Sequence, residues 1–290
     1  MADAALLHDR GSTLRRSRSL RKALRSKMLV LGASLTLLIS VAALLAPLLA
    51  THDPLKTNIR ERLSPPDSAH IMGTDQNGRD VYSRIVFGAR VSLAVGLGVV
   101  VLTTVFGALL GLVSGYVRRL DGPLMRIMDG IMAFPGILLA LAIIAALGNN
   151  PFNVVLALTA TYTPRTARVV RGAVLSLREI TYVEAARSLG SSDGRIMFRH
   201  ILPNTLSPIL VQATYILARA VLAEAALSYI GAGISPPQPS WGNILADGQL
   251  YMYVAPWITV FPGLFIVVTV IGLNLFGDGL RDVFDPRAVQ

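Results

Sequence analysis

Two charged residues, Arg219 and Glu224, stand well inside an apolar stretch of this chain, and no other charge does. Charges in a membrane interior are costly and as a rule face protein or water. Both are therefore candidates either for a solute pathway or for a buried structural pair. They are five residues apart, about 140° around a helix, so they are not placed to pair with each other. Other chemistry is sparse. The four histidines, His8, His52, His70 and His200, lie outside the apolar stretches and far apart in sequence, so no metal ligand is assigned. The absence of cysteine excludes disulfides, thiolate metal sites and cysteine nucleophiles. No Gly-x-x-x-x-Gly-Lys-Ser/Thr phosphate loop occurs. The apolar stretches hold no paired carboxylates and no activated nucleophile, which weighs against a membrane-embedded enzyme, and no catalytic residue is assigned.

The elements that must position these residues are apolar. Hydrophobic residues make up 53% of the 290 and charged residues 15%, against about 25% charged in soluble domains. The chain reads as an all-α polytopic membrane protein. Its net charge of +10 comes from basic clusters between apolar spans, which indicates membrane topology rather than nucleic-acid binding. Six transmembrane helices are expected, over 28–50, 91–116, from near 133 to 147, over 152–162, 209–230 and 257–276. The fourth is short for a crossing of about 20 residues, and Pro164 is placed to kink it. The first run is too long for a signal-peptide core of about 7–15 residues and is expected to be retained. With both termini in the cytoplasm, twenty Lys and Arg fall inside and six outside. The expected divisions are a basic tail (1–27), a first span with an outer loop (28–90), a five-helix core (91–277) and a short tail (278–290).

One polar insert interrupts the core. Residues 184–203 read EAARSLGSSDGRIMFRHILP. Good helix formers run to Leu189, Gly190 suits a left-handed C-terminal cap, and Ser191, Ser192 and Asp193 are candidate N-caps of a second short helix that Pro203 limits. Ala185, Ala186 and Gly190 give this helix–Gly–helix a face that another surface can approach closely. A solvated loop with an amphipathic helix on the bilayer is the plain alternative.

This insert resembles the EAA loop of ABC-importer permeases: Gly190 and Leu202-Pro203 fall in the family's register after Glu184-Ala185-Ala186. His200 departs from the apolar residue usual there, but RHILPN is similar to the dipeptide/oligopeptide branch. So are HIMGTDQNGRDVYSRIVFGARVSL (70–93), AEAALSYIGAG around Glu224, ISPPQPSWGN (234–243) and GDGLRDVFDPR (277–287). The resemblance implies the C-type permease subunit of a peptide importer in the bacterial inner membrane. It would form half of the pathway beside a second homologous permease, with two ATPase subunits and an extracytoplasmic substrate-binding protein. ATP and Mg would sit on the ATPases and no cofactor on this chain; membrane lipid is its other partner. Glu184, Ala185, Ala186, Gly190, Leu202 and Pro203 would form the ATPase-coupling surface. Nickel chelates or glutathione are alternative cargoes of the same machine. An ion-driven secondary transporter would need inverted repeats and more intramembrane acids than Glu224 alone.

Three further readings come from the residues. Asp80 and Arg84, at i,i+4, allow a local ion pair if 79–89 is helical. Gly107, Gly111 and Gly115 mark a close helix–helix contact, within the chain or with a partner. Trp241, Tyr251, Tyr253 and Trp257 suit a membrane–water interface.

Overall fold

The computed structural model describes residues 26–284; most of the basic tail expected over 1–27, and residues 285–290, lie outside that range. Helices account for most of the described chain, and the one strand-like feature there is an isolated bridge between Thr74 and Asp80. In order they are α1 (Lys27–Leu44), α2 (Ala46–Leu49), α3 (Val81–Tyr116), α4 (Arg118–Met132), α5 (Gly136–Leu147), α6 (Pro151–Leu177), α7 (Thr181–Ser188), α8 (Asp193–Arg195), a π-helical stretch (Ile196–Ile201), α9 (Leu202–Tyr229), α10 (Trp241–Gly248) and α11 (Trp257–Phe284).

Helices α1, α3, α11 and the continuous run Asp193–Tyr229 are long and apolar enough to cross a membrane. A fifth candidate is broken: α4 and α5 meet at 88°. Pro135 sits at the N-cap of α5, whose twelve residues reach about 18 Å. The expected inner loop over 117–130 is therefore the amphipathic helix α4. The expected short fourth span, over 152–162, lies inside a longer helix. α6 runs through Pro164 without a break and carries Arg165, Arg168 and Arg171 on helix. Partners on α4 make this possible: Asp121 accepts two hydrogen bonds from Arg171, at 2.5 and 2.7 Å, and Asp129 pairs with Arg168. Other boundaries move similarly. α3 starts ten residues before the expected position 91, and α11 continues through Gly277 into the expected tail.

The helices approach closely where small residues permit it. A Cβ on Gly107 would lie 2.6 Å from Thr166, one on Gly111 2.5 Å from the Ala167 carbonyl and one on Gly115 2.7 Å from Val174. The four-residue glycine repeat of α3 is thus the seat of α6 and an intrachain contact. Gly32 and Gly279 do the same between α1 and α11. The outward faces carry large apolar side chains such as Leu37, Leu38 and Leu48, the surface a bilayer covers. Trp241 is not an interface residue. It is fully buried, and its indole N–H donates to the Ile85 carbonyl at 3.1 Å.

Candidate functional site

The 184–203 insert sits at the C-terminal end of α3. Tyr116 donates to Asp193 at 2.6 Å, and Arg178 donates to the Gly115 carbonyl at 2.8 Å. Helix α7 stops in a two-bond left-handed cap. Gly190 has φ +79°, its N–H donates to the Arg187 carbonyl, and the Ser191 N–H donates to the Ala186 carbonyl, both at 3.0 Å. Ser192 then stands at the N-cap of α8. The second helix does not stop at Pro203. The π stretch hands it on to α9, and Pro203 occupies the first turn there, where its missing N–H costs little.

Burial divides the six residues expected to form the coupling surface. Glu184, Ala185, Gly190 and Pro203 are exposed, Ala186 is half-buried, and Leu202 packs partly against the core cluster built on Val183, Ile196 and Ile201. Asn204 donates to the His200 carbonyl at 2.7 Å and Tyr182 to the same oxygen at 3.2 Å, so both arms of the insert are tied together. At the tip, Leu189 is 87% exposed. A leucine presented this fully beside Gly190, whose Cβ position meets no atom within 4 Å beyond its chain neighbours among the described residues, makes an apolar knob at the tip; Phe198 is the other large apolar side chain that the insert exposes. Sequence reasoning treated Leu189 only as a helix residue; its place directly before the capping glycine was the available signal.

The two intramembrane charges go to different environments. Glu224 is fully buried. Ser228 donates to one of its carboxylate oxygens at 2.7 Å, Ser92 and Ser240 lie beside it, and its other oxygen has no partner among the described residues. It faces the junction of α3, α9 and α10, not an open surface. Arg219 is exposed. With Tyr162, Arg165, Gln212, Tyr215 and Arg281 it lines a cavity of about 220 Å3. Neither residue forms an ion pair among the described residues, in line with their angular separation.

The opposite end of α3, about 54 Å from the insert along its 36 residues, carries a polar connector. Asp75 is fully buried and accepts from Arg79 Nε at 2.7 Å and from Arg84. Asp247 on α10 accepts from the same two guanidinium groups at 3.0 and 2.9 Å. Arg84 therefore pairs with Asp75 and Asp247 and not with Asp80. Asp80 is committed as the N-cap of α3 and accepts from the Ser83 N–H at 2.7 Å. Its other oxygen lies 2.9 Å from His70 Nδ1. His52 and His70, distant in sequence, stack with ring centroids 4.6 Å apart. Burial opposes a charge on His70, but hydrogen bonds to Asp80 and Glu61 outweigh it and raise the imidazole above its usual range.

Residues 88–290 match the family model described as binding-protein-dependent transport system inner membrane component, and residues 15–66 match the N-terminal TM domain of oligopeptide transport permease C. A peptide transport system permease protein of Brucella suis is 49% identical over 92% of this chain and 90% of its own length. The dipeptide transport system permease protein of Alkalihalophilus pseudofirmus is 44% identical over 91% and 87%. Among solved structures, an inward-facing methionine ABC transporter chain superposes with a TM-score of 0.56 at 24% identity, over 69% of this chain and 96% of that one. The shared fold, the long helical spans and the insert between α6 and α9 agree with the sequence matches: the chain belongs to the binding-protein-dependent transport system inner membrane components, the permease subunits of ABC importers.

Proposed function

We propose that this permease forms half of the pathway for dipeptides or oligopeptides in a bacterial inner-membrane importer. It pairs with a second homologous permease, receives cargo from an extracytoplasmic binding protein and couples to two ATPase subunits. Those subunits carry ATP and Mg; this chain binds neither. Six crossings, by α1, α3, α5, α6, α9 and α11, put both termini and the 184–203 insert in the cytoplasm and the connector outside. The excess of Lys and Arg on the insert side supports that orientation.

The observation that carries the reading is the exposed tip of the insert. Glu184, Ala185, Ala186, Leu189 and Gly190 form its surface, with Pro203 at the base and Leu202 holding that base on the core. A partner groove closing on Leu189 when ATP binds pushes on α7. That push passes through Val183 to the cluster beneath α9 and so to the spans. Of the two intramembrane charges, Arg219 faces the pathway and Glu224 holds α9 against α3 and α10. An exposed guanidinium beside Tyr162 and Gln212 suits the carboxylate that every peptide carries.

Reconstitution of the chain with its co-purifying partners in liposomes tests this. Uptake of labelled dipeptides, longer peptides and a nickel chelate is measured with ATP present or absent. ATP-dependent peptide uptake is expected. ATP-dependent uptake of the chelate alone replaces the cargo, and uptake driven by an ion gradient without ATP overturns the coupling.

A further inference from the structure

The polar connector gathers side chains to which the proposed function gives no role. His70 Nδ1 lies 2.9 Å and His52 Nδ1 3.8 Å from the same oxygen, Asp80 Oδ1. One ligand atom from each of the three residues lies within 4.8 Å of the other two. A tetrahedral ion held by nitrogen and oxygen at about 2.0–2.1 Å sets its ligands about 3.3 Å apart, and the two distances to Asp80 bracket that spacing. We propose that His52, His70 and Asp80 form a binding site for a borderline divalent cation of the Zn2+ type.

The donor set selects the ion. Two imidazoles and one carboxylate suit Zn2+, and Co2+ or Ni2+ after it, whereas Ca2+ and Mg2+ prefer oxygen throughout. The surroundings then orient each donor. Glu61 Oε2 lies 3.4 Å from His70 Nε2, on the far side of the ring. A carboxylate there holds the ring proton on Nε2 and leaves Nδ1 to the metal, as in carboxylate–histidine–metal triads. Asp80 spends its second oxygen on the Ser83 N–H at 2.7 Å, which fixes the direction of the first. The backbones are anchored as well. The His52 N–H donates to Ser83 Oγ at 3.0 Å and the His70 N–H to Asp67 at 2.6 Å. The His52 backbone and the His70 ring are thus held at the start of α3, through Ser83 and Asp80, and His52 Nδ1 lies 3.0 Å from Thr51 Oγ1.

Access and charge also fit. His70 and Asp80 are buried while the His52 side chain is 42% exposed, so the site is closed on one side and open on the other. It opens into a cavity of about 170 Å3, also lined by Asp53, Lys56, Asn58 and Glu61. That is room for a water in the fourth position, since a water occupies about 30 Å3. The partial positive charge at the α3 N-terminus and the Lys56 ammonium oppose a cation; the three carboxylates of Asp80, Glu61 and Asp53 offset them. An ion here clasps the exit of the first span, at His52, to the start of α3, at Asp80.

The test uses the full chain with its co-purifying partners in nanodiscs, free of any polyhistidine tag and stripped of metal. Co2+ is titrated and read by its visible absorption, and Zn2+ affinity is read by competition with a chelating dye. One ion per chain, with the intense bands of tetrahedral Co2+ that Zn2+ then removes, is expected. His52→Ala, at a partly exposed ring, keeps the melting temperature of the apo protein and loses at least tenfold in affinity together with the tetrahedral bands. Glu61→Gln keeps the stoichiometry and loses about 10–100-fold. His200→Ala, in the insert at the other end of the molecule, changes nothing. Substoichiometric binding, weak octahedral-type bands only, or wild-type affinity in His52→Ala overturns the site and leaves His70 hydrogen-bonded between two carboxylates.

Discussion

Truncating Leu189 to alanine separates a docking tip from a solvated loop, because the two predict different costs in different assays. In the subunit alone Leu189 is 87% exposed. Its truncation there should change stability by no more than about 0.5 kcal/mol, the usual scale for surface substitutions. If a groove on the ATPase subunit buries the side chain, the complex loses the transfer free energy of the deleted carbons. At about 0.8 kcal/mol per methylene this is about 2 kcal/mol, or roughly a 30-fold weaker association. Leu189→Asp should cost more, because the same groove must then desolvate a charge. The assay is titration of purified ATPase subunit onto the permease in nanodiscs, with ATP-dependent uptake measured on the same preparations and a thermal melt as control. An unchanged melt with affinity down by tenfold or more and uptake falling in parallel is the expected result. Affinity within twofold of wild type, with normal uptake, would refute the reasoning and assign the tip to solvent or lipid.

Other outcomes follow from the same geometry. Gly190→Arg forces a side chain into left-handed backbone, a strain of about 1–2 kcal/mol, but its Cβ meets no described atom within 4 Å. It should insert and fold with a lowered melting temperature and lose transport; normal transport would contradict docking. Gly111→Leu places a branched side chain where a Cβ alone would lie 2.5 Å from the Ala167 carbonyl. Detergent-solubilised yield should collapse, and a wild-type yield and melt would disprove the close α3–α6 contact. Asp75→Asn leaves Arg79 and Arg84 in place with one of their two carboxylates gone. Removing a partner from a buried pair costs about 3–5 kcal/mol, so the melt should fall sharply. Asp247→Asn should fall much less, since that side chain is partly exposed while Asp75 is not. Arg219→Ala should lower peptide uptake while ATPase binding at the insert is unchanged, and full uptake would remove Arg219 from the pathway.

What was legible in the sequence depends on how far apart the interacting residues are. The turn at Gly190 was readable because the cap closes within one segment: the bonds from Gly190 and Ser191 return to Arg187 and Ala186. The glycine repeat of α3 was readable for the same reason, although not its partner. Where partners lie far apart, local rules chose wrongly or stayed silent. Asp80 and Arg84 have ideal helical spacing for an ion pair. Asp80 stands at the N-cap instead, and Arg84 reaches across 163 residues to Asp247. The fourth apolar span reads as ending near Tyr162, and the helix that contains it runs on to Leu177. It continues because Asp121 and Asp129, on a segment read as a loop, meet Arg171 and Arg168. Trp241 looked like an interface residue by type and was drawn into the core by a carbonyl 156 positions away. The histidines carry the same lesson furthest. Nothing local joins His52 to His70, yet the first turn of α3 anchors both, through Ser83 and Asp80. In a helical membrane protein the spans are written in local hydropathy, but polar side chains that cannot be left unpaired choose partners from whatever the fold brings near. The chemically useful clusters are therefore the ones a linear reading disperses.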